Sequence, residues 1–300
     1  MQERLRLLEQ AINERGLSGA KDRIMALVRP AIALVPELAD EEDIPLGSTK
    51  LWGLPHVPSG FDWPIHEGMM LGFLGQINLA ELKNCHDLGL PSHGLLSFWF
   101  HQGLNDGEGP ACGKVFHFLD SDLTLLEWPD DDERYDTSWI LDYSDTAWKA
   151  HLSAFPSLPY GYYHDNVYRE FLNLSEDEGD TYANERDAYA YLQSGLSDLF
   201  DLPRDDYQLG GYPHRCQFDP QKYIYLRANN LVESDFDEQN PESMATMLSF
   251  AQNLRLLAQF DANNENVADQ SEVSIYFLYP EVKLAQHDFE TPYTWWDFES

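Results

Sequence analysis

The stretch LGFLGQIN (Leu71–Asn78) returns in altered form as LRLLAQFD (Leu254–Asp261). In both copies a short apolar run contains a glutamine, and Asn or Asp follows it two residues later. A short apolar run that is bounded by turn residues predicts a buried β-strand. A buried glutamine must satisfy both ends of its amide, so we expect Gln76 and Gln259 to hydrogen-bond to a neighbouring loop.

Two further segments recur in the same order along the chain. LWGLPH (Leu51–His56) corresponds to LGGYPH (Leu209–His214), and LSFWF (Leu96–Phe100) corresponds to VSIYF (Val273–Phe277). Three matches in one order predict an internal duplication. The gap between the first two elements is wider in the second copy, which therefore carries an insertion.

The repeated residues favour a structural role. Glycine before a proline-containing turn allows backbone conformations that a side chain would forbid, and Asn or Asp suits a strand exit or a helix N-cap. The two copies would then brace equivalent corners of a pseudo-symmetric body. In the alternative interpretation, the repeated polar residues line one shared cleft between the halves. These binding candidates are His56, Gln76, Asn78, His214, Gln259 and Asp261.

The pattern along the chain predicts a single domain over residues 1–300 with four parts. Leu5, Leu8 and Ile12 recur at helical spacing near the start, whereas from Ser48 onward short apolar runs alternate with Gly and Pro, as in strands and turns. The predicted parts are N-terminal helices (1–45), a first β repeat (46–128), a helical, acidic and aromatic-rich insert (129–206) and a second β repeat (207–300). The predicted fold class is α+β, mostly antiparallel β.

The charge of the chain restricts its partners. Nineteen Lys and Arg face 52 Asp and Glu, which gives a net charge of −33, and residues 120–206 hold 22 acidic against 5 basic side chains. Such a surface repels nucleic acid and anionic membranes. It keeps a protein soluble, and it would also suit docking to a basic protein. The first residues predict no secretory leader, and we expect no membrane span because no apolar run is long enough to cross a bilayer. It has three cysteines, too few for a disulfide framework, so we expect a cytoplasmic monomer or weak dimer.

Motifs of catalysis and cofactor binding are missing from the sequence. The glycine-rich GEGPACGK (Gly107–Lys114) has the wrong spacing for a phosphate-binding loop, and the chain has neither a nucleophile elbow nor a zinc-binding helix motif. Cysteines and histidines do cluster along one part of the chain, without the paired spacing of a zinc site. They are Cys85, His86, His93, His101, Cys112 and His117. We therefore predict no cofactor and no metal, and the sequence leaves any catalytic residues unknown.

The repeated segments resemble a known family. KLWGLPHVPSGFDWP, FLGQINLAEL and LLSFWF, followed by YQLGGYPHRCQ, LRLLAQFD and VSIYFLYP, are similar to the signature of the YwqG-like family, also called DUF1963. The resemblance runs from about Lys50 to the C-terminus and implies an α+β fold built on an internal duplication. It implies no activity, because the family is one of unknown function. The family's Gly-Asp-x-Gly segment is absent here, and Asp269 is its only remnant.

Three classes of function fit these observations. The favoured one is a non-catalytic interaction protein that docks a basic partner through its acidic face, in the manner of an immunity protein. The second is an enzyme with a cleft between the halves. The third is a small-molecule or sugar binder that uses exposed aromatic side chains, for which the candidates are Trp52, Trp63, Trp295 and Trp296.

Overall fold

A computed structural model describes most of the chain. The described residues are 1–85, 88–101, 112–119, 122–128, 147–159, 180–202, 207–214, 219–237, 240–261 and 272–299. Most of the acidic segment lies outside them, as do Asp269 and the glycine-rich Gly107–Ala111. The predicted acidic face is therefore described only in part.

A large antiparallel sheet and several helices make up the described residues, and two short strand pairs accompany the sheet. The strands are β1 (Arg29–Ala39), β2 (Lys50–Trp52), β3 (His56–Pro58), β4 (Ile65–His66), β5 (Met69–Met70), β6 (Gly72–Asn78), β7 (Leu95–His101), β8 (Cys112–Phe118), β9 (Leu123–Leu125), β10 (Ala147–Ser157), β11 (Gln208–Gly210), β12 (Leu254–Asp261), β13 (Glu272–Pro280) and β14 (Tyr293–Glu299). The helices are α1 (Gln2–Glu14), α2 (Lys21–Leu27), α3 (Asp180–Ser194), α4 (Leu196–Phe200), α5 (Pro220–Ala228), α6 (Pro241–Gln252) and α7 (Glu281–Ala285). Short 3₁₀ turns lie at Ser18–Ala20, Glu41–Asp43, Leu79–Asn84 and Glu233–Asp235. The α+β class agrees with the sequence prediction.

The main sheet has ten strands whose order is symmetrical. From one edge to the other it runs β14-β13-β12-β11-β1-β10-β2-β6-β7-β8. The long strands β1 and β10 pair over their whole length at the centre. On one side lie β2 and β6 to β8, called here the first half, and on the other lie β11 to β14, called the second half. Exchanging the halves reproduces the same order.

The pairing registers of the two halves also correspond. Lys50 pairs with Gln76 in the first half, and Gln208 pairs with Gln259 in the second. In β6 the pairing register shifts between Phe73 and Gly75, and in β12 it shifts between Leu256 and Ala258. Each shift lies just before the glutamine of its strand. Bulges of this kind are specific local features rather than random defects.

The third sequence match is displaced by two residues in the structure. Gly75 pairs with Phe98, and the corresponding Ala258 pairs with Phe277. Phe98 is therefore equivalent to Phe277, whereas the sequence alignment set it beside Ile275. The displacement keeps each side chain on its face, because side chains alternate along a strand with a period of two.

One hydrophobic core joins the two halves. Phe98 of the first half packs against Phe260 and Phe277 of the second, with ring centroids 5.1 and 5.4 Å apart. At the sheet edges, a side chain on Gly113 would collide with Thr294. The sheet therefore curls until its two ends meet, and its inner face encloses what we call the shared core. The outer face is covered by α1 to α4 at the centre and by α5 and α6 over the second half.

Two central strands correct the predicted division of the chain. Arg29–Ala39, assigned to the N-terminal helices, is β1, and Ala147–Ser157, assigned to the insert, is β10. The β1 run alternates between two cores, with Ile32 and Leu34 in the shared core and Ala31 facing the helices. Its apolar residues thus follow the strand period of two, which the prolines of this segment obscured.

The prolines fit β1 because one side of the strand is only partly paired. The Leu34 amide donates to the Tyr207 carbonyl on the side of β11, and amide directions alternate along a strand. The nitrogen of Pro36 therefore faces the same side, beyond the residues that β11 pairs with. No ladder hydrogen bond is lost there, as for proline on an edge strand.

Candidate functional site

Gln76 anchors the first corner, which we define as Lys50–His56. Its Oε1 accepts from the His56 amide at 2.9 Å, and its Nε2 donates to the Ser48 carbonyl at 2.8 Å. The same Nε2 lies 2.8 Å from His56 Nδ1. The side chain is fully buried, so both ends of its amide are satisfied as the sequence analysis expected.

Gln259 holds the second corner, Gln208–His214, in the same way. Its Oε1 accepts from the His214 amide at 2.8 Å, and its Nε2 donates to the His214 carbonyl at 2.6 Å. Each glutamine therefore binds the backbone of the histidine that ends the repeated Leu-x-Gly-x-Pro-His segment. The match reflects one hydrogen-bonding pattern that occurs twice.

The backbones of the two corners share an unusual conformation. Trp52 and Gly53 have φ of +54° and +68°, and the equivalent Gly210 and Gly211 have +65° and +73°. A tryptophan in this left-handed region is strained, and Trp52 is held there because it is almost completely buried. Burial in the core thus offsets an unfavourable backbone.

The first corner encloses a cluster of charged and polar groups. Lys50 is fully buried, donates to the Leu54 carbonyl at 2.9 Å and pairs with Glu41. Glu41 also accepts from the Leu54 amide at 2.9 Å. His56 Nδ1 accepts from the Gly47 amide at 2.9 Å, which assigns the ring proton to Nε2, 3.6 Å from the Glu41 carboxylate.

The ion pair has opposite effects on its partners. Burial lowers the pKa of Lys50, and the attraction of Glu41 opposes that shift. Burial would raise the pKa of Glu41, but the nearby His56 ring and the hydrogen bonds from Lys50 and the Leu54 amide hold the pKa of this carboxyl below its ordinary value. The Glu41 side chain is 21% exposed, and that of Lys50 is closed to solvent. With Lys50 and His56 sealed off, the cluster is suited to bracing the corner rather than to chemistry on a substrate.

The second corner replaces this charged cluster with neutral groups. Gln208 takes the place of Lys50 and donates to the Tyr212 carbonyl at 2.6 Å, which is equivalent to the Leu54 carbonyl. The Tyr212 amide donates to the Ser157 hydroxyl at 3.0 Å, where the first corner uses Glu41. The same backbone geometry is therefore supported by different chemistry.

The six predicted binding residues fall into two groups. His56, Gln76 and Asn78 lie together at the first corner, where Asn78 donates to the Gly47 carbonyl at 2.8 Å and caps the turn at Leu79–Asn84. The second group comprises His214, Gln259 and Asp261, of which Gln259 and Asp261 are buried on β12 and His214 is half-buried.

The glutamines of the two groups face away from each other. Ile77 and Phe260, the residues that follow Gln76 and Gln259, belong to the shared core. Neighbouring side chains on a strand point to opposite faces, so both glutamines point outward, each toward its own corner. The structure does not gather these residues into one cleft.

A groove between the halves involves other residues. It has a volume of about 480 Å³, within the usual range of small-molecule sites. The first half contributes a loop at Leu88–Leu90, and the second contributes the glycines of its corner, the start of β12 and one face of α7. The lining residues are Arg29, Pro30, Leu88, Gly89, Leu90, Gly210, Gly211, Arg255, Leu256, Leu257, Glu281, Leu284 and Ala285. A hydrogen bond of 3.1 Å between His287 Nε2 and the Gly89 carbonyl ties the two walls together.

Arg29 and Arg255 give the groove an unusual charge. Arg255 is paired with Glu281 at 2.6 Å. Half-buried Arg29 stacks on the Tyr212 ring with its guanidinium carbon 4.1 Å from the centroid, and within the described part of the chain no ion pair or hydrogen bond to it is found. Burial lowers the pKa of Arg29, but a guanidinium stays charged in proteins. The groove therefore presents one uncompensated cation.

Sequence analysis missed these groove residues. Their signal was faint: two arginines in a chain with few basic residues, and a glycine at position 210 where the other copy of the repeat has Trp52. The other groove residues gave no signal because they are far apart in the sequence. The wall at Leu88–Leu90 and α7 meet only when the sheet curls.

The predicted aromatic candidates are used for packing. Trp52 and Trp63 are buried, which rules them out as exposed stacking platforms. Trp295 stacks on Tyr223 with centroids 4.8 Å apart and lies under Arg227. Among the described residues, no group of three His, Cys, Asp or Glu side chains is arranged to hold a metal ion. Within the same ranges no helix has the length and apolarity needed to cross a membrane.

Comparison with the models of protein families identifies the family of this chain. No curated protein matches the chain. The model of a domain of unknown function, DUF1963, matches residues 49–297, which include both corners, the groove from Leu88 onward and the strands of both halves. This chain is therefore a member of the DUF1963 family.

Proposed function

We propose that this protein is a non-catalytic binding protein whose small-molecule ligand occupies the groove between its halves. The size of the groove suits such a ligand. Its walls come from both halves, as is common for sites between repeated units, and its few polar groups stand among leucines. This is the small-molecule form of the cleft hypothesis, with a different set of lining residues.

The observation that carries the proposal is a departure from the symmetry of the corners. Trp52 fills its position in the first corner, whereas the equivalent Gly210 has no side chain. A Cβ at Gly210 would lie 3.0 Å from Leu88 and 3.2 Å from the Pro30 carbonyl, both of which line the groove. Arg255 likewise stands where the register places Gly72 in the first half. The bare backbone of Gly210 is therefore in contact with Leu88 and Pro30, and these residues line the groove together with Arg255.

Two substitutions on one helix test the proposal. Ala285 and Val282 are both exposed on α7, but only Ala285 lines the groove. Ala285→Trp should block it, and Val282→Trp is the matched control. Binding of octanoate, octyl phosphate, octanol and octyltrimethylammonium would be measured by titration calorimetry.

The expected result is saturable binding of at least one probe to the natural protein and to Val282→Trp. Ala285→Trp should weaken that binding by more than about tenfold, because a blocked groove loses its apolar contacts. Circular dichroism would show whether each variant is folded. Absence of binding by all four probes, or binding that Ala285→Trp leaves unchanged, would overturn the proposal.

A second candidate function is docking to a basic protein, which the charge of −33 favours. One described surface suits it: Leu38 and Leu46, 63% and 57% exposed, stand among exposed acids. The acids are Glu37, Asp40, Glu42 and Asp43. A salt-sensitive pull-down that Leu38→Ser weakens would support this function, and partners insensitive to salt would contradict it.

We further propose a cytoplasmic location, supported by the free thiol of Cys85, a monomer or weak dimer, and an internal duplication as the origin of the two halves.

A further inference from the structure

We infer that the ligand of the groove is an anionic amphiphile: one carboxylate or phosphate group that binds Arg29, joined to an apolar body that lies against the leucines. The inference rests on the proposed function and goes beyond it by naming the class of ligand. It follows from the charges of the groove, the state of Arg29 and the nature of the lining.

The charges of the groove leave a net positive site in a strongly negative protein. Among the described residues, three ionisable groups line it, namely Arg29, Arg255 and Glu281. Arg255 and Glu281 neutralise each other through their ion pair of 2.6 Å, and the two remaining hydrogen bonds of Arg255 go to the carbonyls of Gln252 and Leu254. Arg29 therefore supplies the charge that a ligand meets.

Arg29 is oriented in advance for an oxyanion such as a carboxylate or a phosphate. Its guanidinium lies over the Tyr212 ring, which restricts where the guanidinium can go, and the Tyr212 hydroxyl donates to the Leu27 carbonyl at 2.8 Å, which holds the ring in turn. A guanidinium offers paired donors that match a carboxylate or phosphate. Holding the fork in place reduces the entropy lost when an anion binds.

The rest of the groove lining is apolar, and it indicates that the other end of the ligand is apolar too. Leucines from three elements line the groove, namely the loop of the first half, β12 and α7; they are Leu88, Leu90, Leu257 and Leu284. The side chain of Leu256 packs instead in the outer core. Apolar surface of this kind gains free energy by covering a hydrocarbon body. The charge of −33 opposes an approach to an anionic bilayer, so the occupant is a single molecule rather than a membrane surface.

The head group is tested with the four eight-carbon probes on the natural protein. Octanoate or octyl phosphate should bind at least about tenfold more tightly than octanol, because hydrogen bonds to a charged group exceed those to a neutral one. Octyltrimethylammonium should bind more weakly still. The ratio of octanoate to octyl phosphate distinguishes a carboxylate from a phosphate ligand.

The role of Arg29 is tested with a matched change of charge. Arg29→Gln should abolish the preference for anionic probes while octanol binding stays within about threefold. Arg23→Gln removes the same charge from an exposed position on α2, away from the groove, and should keep the preference. Arg29→Lys retains the charge and should retain part of the preference for anionic probes. This variant therefore distinguishes loss of the charge from misfolding as the cause of any effect of Arg29→Gln.

The outcomes distinguish this inference from the proposed function. If octanol binds as well as octanoate and Ala285→Trp blocks both, the groove binds ligands and the anionic class is wrong. If Arg29→Gln and Arg23→Gln weaken octanoate equally, the preference reflects overall charge and the inference also fails. If no probe binds, both proposals fall.

Discussion

The buried Lys50 of the first corner shows how one side chain depends on its neighbours. A buried ammonium group is costly unless a counter-ion and hydrogen bonds compensate for it. Glu41 and the Leu54 carbonyl provide both. In the second corner Gln208 makes the equivalent bond to a carbonyl without a charge. A neutral residue at position 50 is therefore compatible with this backbone.

This comparison predicts a strong coupling between Glu41 and Lys50. Glu41→Gln should lower the free energy of unfolding by about 3 kcal/mol, because it leaves Lys50 buried without its counter-ion. Lys50→Gln, which copies the second corner, should cost less, about 1–2 kcal/mol. In the Lys50→Gln background, Glu41→Gln should cost under about 1 kcal/mol. Urea denaturation of the four proteins measures the cycle, and equal costs in both backgrounds would refute the coupling.

Stability in acid should depend on the same carboxyl. The pKa of Glu41 in the folded protein lies below its ordinary value of 4.5. The stabilisation that the Glu41 carboxylate contributes to the folded protein is therefore complete above pH 4.5 and is lost as the pH falls through the folded-state pKa. Unfolding measured between about pH 6 and about pH 3 should show the gap between the natural protein and Glu41→Gln closing toward the acid end.

A control for this pH effect is Glu37, whose pKa is also lowered, by its hydrogen bond to His151. That pair is exposed to solvent, and exposed pairs contribute little to stability. Glu37→Gln should therefore leave the acid limb nearly unchanged. A gap between the natural protein and Glu41→Gln that stays constant with pH would contradict the assignment.

Among the helices and strands, the two corners show what a repeated turn requires. Two consecutive left-handed residues let the chain leave β2 or β11 and return toward a glutamine on the next strand. Gly211 must also approach β1 and β10 closely, because a Cβ there would lie 2.8 Å from the Cβ atoms of Ala31 and Ser157. Both the positive φ and the lack of room for a Cβ therefore require glycine at position 211.

Alanine substitutions can separate these two demands. Gly16 has φ of +76°, close to the +73° of Gly211, but a Cβ on Gly16 meets no atom within 4 Å. Gly16→Ala should therefore cost about 1–2 kcal/mol of unfolding free energy from backbone strain alone. Gly211→Ala should cost about 1–3 kcal/mol more, because it also overpacks the corner. Thermal and urea unfolding would measure both, and equal costs would show that crowding at Gly211 is unimportant.

For the complete chain, the curled sheet makes the two halves one folding unit. Phe98 of the first half lies against Phe260 and Phe277 of the second, deep in the shared core. Neither half can bury its inner face without the other. Unfolding should therefore be one transition, with coincident curves from tryptophan fluorescence and far-ultraviolet circular dichroism.

Phe98→Ala should destabilise the protein without splitting this transition. We expect a loss of about 3–5 kcal/mol in unfolding free energy, as for other large core side chains. Tyr191→Ala, at a side chain that is 71% exposed, is the control and should change little. Two separate transitions in either protein would show that the halves fold independently.

The sequence predicted those features whose cause is local. The apolar runs around Gln76 and Gln259 indicated buried strands, the amides indicated loops to be held, and Gly with Pro indicated the turns, since each rule depends on residues within a few positions. The α+β class and the family followed from the same segments. Pairing of the glutamines with the histidine backbones agreed with the predicted bracing of two corners.

Long-range contacts account for the features that the sequence did not predict. Strands β1 and β10 contain prolines and resemble linkers locally, and they are strands because each supplies the other with hydrogen bonds across more than a hundred residues. The groove arises similarly, since Arg29, Leu88, Gly210 and α7 become neighbours only after the sheet curls. The sequence specifies the chemistry of each side chain. The free energy of packing one shared core determines which distant groups come into contact.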